Sequence, residues 1–160
     1  MKISIIFDTF YGNTQKVAEL YRDYLKEFNP SLVKVDVVTQ EVIDGSDLLI
    51  LGAPTRAFNM TKKIKKILKK YKYKDKYFVA FDTRARIADV SSKLLLKLVS
   101  KFGYAAEKIE HRLIHKEALK LMDYQYYFVK DTEGPLIEET TKSIEQNVTV
   151  LIEKIKSLSK

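Results

Sequence analysis

Asp8-Thr9-Phe10-Tyr11-Gly12-Asn13-Thr14 gathers hydroxyls, amides and one glycine into a short turn. Before it stand Ile3, Ile5, Ile6 and Phe7, the pattern of a strand buried on both faces. After it come Val17, Ala18, Leu20, Tyr21 and Tyr24, an apolar stripe with the spacing of an amphipathic helix. A strand that feeds a helix through such a turn aims backbone N–H groups and the positive helix end at one spot. That is an anion site, most often for phosphate. The plainer alternative makes Thr14 or Asn13 a simple helix cap. The turn is neither a Walker P-loop, since no Gly-Lys-[Ser/Thr] follows, nor a dinucleotide fingerprint, since it has one glycine where three are needed.

Two more polar clusters follow apolar runs. Gly52-Ala53-Pro54-Thr55-Arg56-Ala57-Phe58-Asn59-Met60 comes after Asp47–Leu51, and Asp82-Thr83-Arg84-Ala85-Arg86-Ile87-Ala88-Asp89 comes after Tyr77–Phe81. Other chemistry is sparse. The chain has no cysteine, which removes disulfides, thiol catalysis, iron–sulfur ligation and cysteine-based zinc sites. His111 and His115 are four apart and would share a helix face, but without a third ligand they read as exposed or core histidines, and no metal is expected. No pair of residues stands out as a catalytic dyad.

The elements that must position these clusters alternate. Leu32, Val33, Val35, Val37 and Val38 suit a second strand after the break at Asn29-Pro30, and DLLIL over Asp47–Leu51 a third. Thr61 can cap a lysine-rich helix, and YFVAF over Tyr77–Phe81 is a fourth strand. A helix from about Val90 to Phe102 would end at Gly103. Ala105–Asp123 fits a helix or a strand. Tyr124–Val129 is a last strand, and Leu136–Leu158 follows the Gly134-Pro135 turn as an amphipathic helix. The alternation predicts an α/β domain over residues 1–160, with a mainly parallel sheet and helices on both faces. Ligands of such sheets sit beyond the carboxyl ends of the strands, where all three clusters fall.

The net charge of +8 is uneven: Lys62–Lys76 holds nine lysines against one aspartate. Ile64, Ile67, Leu68 and Tyr71 keep helical spacing inside it, so the lysines can coat a helix whose other face is core. Such a surface favours acidic partners. Sparse arginines and stacking aromatics in this stretch argue against nucleic acid. No apolar run reaches the roughly 18 residues of a membrane span. Lys2 leads into a strand rather than a secretory leader, so a soluble cytoplasmic protein is expected, with its oligomeric state open.

Thr9-Phe10-Tyr11-Gly12-Asn13-Thr14 resembles the phosphate-binding loop of flavodoxins, commonly [TS]-x-[TS]-G-x-[TS]. Gly52–Met60, about forty residues on, is similar to the second flavin loop of that superfamily, especially the G-x-P-T-R-[FY]-G-N-M form of its NAD(P)H:quinone oxidoreductases. The resemblance spans essentially the whole chain. It implies a flavodoxin-like three-layer sandwich with a five-stranded parallel sheet in the order 2-1-3-4-5, and FMN as cofactor. Thr9, Phe10, Tyr11, Gly12, Asn13 and Thr14 would hold the phosphate through hydroxyls and backbone amides, without a lysine. Pro54, Thr55, Arg56, Ala57, Phe58 and Asn59 would run along the isoalloxazine edge, with Phe58 packed on it. Asp82, Thr83 and Arg84 would close the site, with Arg84 or Arg86 near the flavin N1/O2 edge. The departures are Tyr11 in place of a small hydroxyl residue, Ala57 in place of an aromatic, and a third loop with neither glycines nor a stacking tyrosine. The implied activity is electron transfer, with an acidic redox partner met by the Lys62–Lys76 helix. The alternatives are an FMN-dependent NAD(P)H:quinone oxidoreductase and a flavin-free interaction module on the same fold.

Overall fold

The computed structural model describes residues 1–85, 103–131 and 133–158. The helix expected over Val90–Phe102, and the third-loop residues Arg86, Ile87, Ala88 and Asp89, lie outside the described residues. The elements are β1 (Ile3–Phe7), α1 (Asn13–Tyr24), β2 (Ser31–Lys34), α2 (Gln40–Asp44), β3 (Leu48–Pro54), α3 (Lys62–Lys70), β4 (Tyr77–Ala85), α4 (Ala105–Ile114), β5 (Leu119–Lys120), β6 (Gln125–Val129) and α5 (Glu139–Leu158).

The sheet is parallel with the order β2-β1-β3-β4-β5, as the resemblance implies, and β6 also pairs with β4. The fifth position is shared. Tyr77 and Phe78 of β4 pair with Leu119 and Lys120, and Phe81–Ala85 pair with Gln125–Val129. The segment that was open between helix and strand is therefore both: α4, then the short β5.

Side chains alternate across the sheet, so each face packs its own core. Leu49, Leu51 and Ala53 of β3 face Ile64, Ile67 and Leu68 of α3 and Ile109 and Leu113 of α4. Leu48 and Ile50 face the other way, toward Val17, Ala18 and Tyr21 of α1 and Ile144, Val148 and Leu151 of α5. On that side Phe81 stacks on Tyr21 at 5.3 Å and meets Tyr127 edge-on, and the Tyr21 and Tyr127 hydroxyls hydrogen-bond at 2.7 Å. Gly52 is required by this cluster, because a Cβ there would sit 2.1 Å from the Phe81 ring.

Expected boundaries move, among them the third strand, which runs on to Pro54 rather than Leu51, and at the strand ends the reason is that backbone groups extend only as far as they find partners. The second strand ends at Lys34 rather than Val38, because β1 offers no pairing beyond Phe7, which lies opposite Lys34. A 3-10 turn over Val35–Val37 follows. The fourth strand runs to Ala85 rather than Phe81, because β3 reaches Pro54 on one side and β6 reaches Val129 on the other. Asp82, Thr83 and Arg84 are therefore strand residues, not loop. The lysine-rich helix is capped by Thr61 as expected, but it stops at Lys70. Lys72–Lys76 form the approach to β4, where Lys76 Nζ donates to the carbonyls of Asp44 and Ser46.

Candidate functional site

The register of the sheet brings the loops together. Phe7 lies opposite Gly52, Gly52 opposite Phe81, and the Asp8 N–H donates to the Gly52 carbonyl. Past that line, a cleft of about 280 Å³ opens at the carboxyl edge. It is lined by Thr9, Phe10, Tyr11, Asn13, Thr14, Pro54, Thr55, Arg56, Ala57, Thr83, Arg84, Ala85 and Val129.

The first loop folds on itself. The Gly12 N–H donates to Thr9 Oγ1 at 2.9 Å, and Gly12 takes the left-handed φ of +84° that starts α1. Neither Thr14 nor Asn13 caps the helix. Thr14 Oγ1 is buried against Thr83 Oγ1 at 2.8 Å, and Asn13 Nδ2 donates to the Glu133 carbonyl at 2.7 Å. The helix has no side-chain cap and no acid in its first turn. Among the described residues nothing accepts from the backbone N–H groups of Phe10, Tyr11, Asn13 or Thr14. Helix starts normally find such partners, and N–H groups left open in this way are able to receive an anion.

The second loop is a tight hairpin. Arg56 and Asn59 exchange both backbone hydrogen bonds, at 3.0 and 2.9 Å. Ala57 and Phe58 between them both have positive φ, +44° and +59°, the conformation of a two-residue type I′ turn. This turn sends the Arg56 side chain back across the cleft. Its guanidinium carbon lies 4.9 Å from the Phe10 ring centre and 5.5 Å from that of Tyr11, and Nη1 donates to the Tyr11 hydroxyl at 3.4 Å. Phe58 does not line the cleft, and its carbonyl accepts from Lys108 Nζ at 2.6 Å. Gly12, Asn59 and Asp82 also stand behind the lining rather than in it.

Asp82 is fully buried and satisfied by four donors: Arg84 Nε at 2.6 Å, Arg84 Nη2 at 2.7 Å, the Ala106 N–H at 2.9 Å and the Thr55 hydroxyl at 3.1 Å. Burial pushes its carboxyl above the usual range, against the pull of Arg84, the Ala106 N–H and Thr55. Thr55 Oγ1 also accepts from the Ala105 N–H at 2.9 Å, so Asp82 and Thr55 together satisfy the start of α4. The Arg84 guanidinium lies between the rings of Tyr104, at 3.5 Å, and Tyr126, at 4.6 Å.

Sequence reasoning missed Tyr104, Tyr126, Val129 and Lys108. Val129 had a signal, as the last residue of an expected strand whose carboxyl end must reach this edge. Tyr104 and Tyr126 had none, since they reach Arg84 only through tertiary packing. His111 and His115 stand with ring nitrogens 3.3 Å apart, beside Arg112 and Lys116, and no group of three metal-ligating side chains occurs among the described residues.

No family model matches the sequence. A flavodoxin of Clostridium saccharobutylicum is 30% identical over 106 residues, 62% of this chain and 66% of that protein. Flavodoxin 2 of Bacillus cereus superposes with a TM-score of 0.72 at 20% identity, covering 96% of this chain and 99% of that one. A Fusobacterium nucleatum flavodoxin solved with flavin mononucleotide bound superposes with a TM-score of 0.67 at 16% identity, covering 96% and 98%. The sheet order and both loops agree with these proteins: the chain has the flavodoxin-like fold and is similar in sequence to a flavodoxin over 62% of its length.

Proposed function

We propose that the chain is an FMN-binding electron carrier, one flavodoxin-like domain over residues 1–160 working in the cytoplasm. The observation that carries this reading is the uncapped start of α1, where the N–H groups of Phe10, Tyr11, Asn13 and Thr14 stand without partners among the described residues, in a loop that lines the cleft. Those groups hold the phosphate, with Gly12 setting the loop's turn and Thr9 bracing it. Pro54, Thr55 and Ala57 flank the ring on one side, Arg56 reaches across to Phe10 and Tyr11 of the first loop, and Phe58 and Asn59 fix the hairpin behind them. Thr83 and Arg84 form the floor, and Asp82 holds Arg84 in place. Bound there, FMN supplies the redox chemistry, and the chain binds it, orients it and sets its electrostatic surroundings.

The partner is an acidic redox protein that docks beside the second loop. Lys65 of α3 and Lys108 and Arg112 of α4 lie near one another there: burial and Lys65, with Arg112, pull the Lys108 ammonium below its ordinary range against the opposing pull of Glu107. Lys108 is tied directly to the hairpin through the Phe58 carbonyl. Opposite charge on a partner would relieve this crowding and steer its approach to the cleft.

The test is an absorption spectrum of the purified protein, then titration of the flavin-free form with FMN. Flavin bands and tight, stoichiometric binding are expected. Absence of binding at micromolar FMN overturns the reading and leaves the interaction module. Rapid turnover of NAD(P)H with a quinone would instead favour the oxidoreductase.

A further inference from the structure

Among the described residues two cations line the cleft, Arg56 and Arg84. Arg84 is committed, since its Nε and Nη2 both donate to Asp82 and its plane is stacked between Tyr104 and Tyr126. Arg56 is not. Among the described residues no carboxylate pairs with it, and its contacts are the Phe10 ring, the Tyr11 ring and the Tyr11 hydroxyl. All of these belong to the loop whose N–H groups lack partners. The loop also carries a charge that opposes an anion. Asp8 is buried immediately before it, with its carboxylate accepting from the Thr9 N–H at 3.0 Å. Lys63 feels the Asp8 charge, but it is paired with Asp36 at 2.8 Å. A phosphate monoester carries about −1.5 to −2 at neutral pH. Brought near Asp8, it is repelled unless a cation answers it.

We propose that Arg56, sent across from the second loop by the hairpin turn, is a phosphate-reading residue. It supplies the positive charge that the loop lacks and makes the site prefer a phosphorylated flavin over the same flavin without phosphate. This rests on the flavin reading above and deepens it. The resemblance implies phosphate binding largely by neutral dipoles, without a lysine, whereas here a guanidinium lies against two rings of the loop. Stacking on Phe10 and Tyr11 holds the guanidinium plane in place, and its remaining N–H groups stay available for phosphate oxygens.

The experiment compares wild type, Arg56→Gln and Arg56→Lys in titrations with FMN and with riboflavin at low and high salt. Arg56 is exposed, so these variants are expected to fold, and matching thermal melts check that. Arg56→Gln is expected to weaken FMN binding about tenfold, leave riboflavin binding unchanged and flatten the salt dependence for FMN. Arg56→Lys keeps the charge and retains the salt dependence. Equal weakening of both flavins would overturn the proposal and move Arg56 to the ring. So would an Arg56→Gln variant whose FMN affinity and salt dependence match wild type. If wild type binds neither flavin, the flavin reading itself fails, an outcome distinct from these two.

Discussion

At the scale of single residues, the buried pair Asp82–Arg84 is the costliest arrangement in the site, and removing one partner tests it. Arg84→Met leaves a buried carboxylate without its counter-ion, and a loss of about 3–5 kcal/mol is expected in urea unfolding at neutral pH. The sign of the pH dependence follows from the direction of the Asp82 shift. Burial favours the protonated carboxyl, and without Arg84 that preference grows. The folded variant then binds a proton more tightly than the unfolded chain, so its deficit shrinks as pH falls toward the ordinary carboxylate range and is largest above the raised value. Adding Asp82→Asn should recover much of the loss at neutral pH, since the amide oxygen can still accept from Ala106 and Thr55. Tyr73 is the opposite case. Among the described residues its hydroxyl is buried without a hydrogen-bond partner, and burial drives its ionisation well above the normal range. Tyr73→Phe removes an unsatisfied group and is expected to raise stability by about 1 kcal/mol, read from the denaturation midpoint.

At the scale of elements, the second-loop hairpin stores strain that the first loop does not. Gly12 takes its positive φ freely, but Ala57 and Phe58 take theirs against the preference of L side chains. Ala57→Gly should therefore stabilise the protein by about 1 kcal/mol in thermal unfolding, despite glycine's greater freedom in the unfolded chain. An alanine here that yields no gain on replacement would mean that the hairpin geometry costs nothing, which its dihedral angles contradict.

Over the whole molecule, Lys62–Lys76 holds nine lysines against one aspartate, a balance equal to the net charge of +8, and Lys108 of α4 adds a cation at the second loop through the Phe58 carbonyl. With FMN bound and reduced, oxidation by ferricyanide, an anion, is expected to be fast at low ionic strength and to slow steeply as salt rises. A cationic cobalt complex should show the opposite trend. Reversing Lys65 and Lys108 to glutamate should weaken both dependences. Stopped-flow rates across a salt series read this directly.

The alternation of strands and helices and the two loops that line the cleft were legible in the sequence, because each depends on local pattern: period-2 and period-3.6 apolar spacing, a glycine before a helix, and a Pro-Thr-Arg turn after a strand. The sheet order is not a local property, and it was expected only because the resemblance of those loops implied it. Asp82, Thr83 and Arg84 looked like loop because they are polar, and only pairing on both sides with β3 and β6 makes them strand. Thr14 looked like a cap because threonine often is one, yet Thr83, reached from another strand, takes its hydroxyl. Arg56 could be named from its motif, but not where its charge would fall. That required the hairpin to turn it onto Phe10 and Tyr11, more than forty residues away in the chain. Local patterns determined which elements form and in what class of fold. Contacts between distant segments decided which side chains are occupied and which are left to meet a ligand, because burial and pairing are properties of the packed molecule and not of the residue types alone.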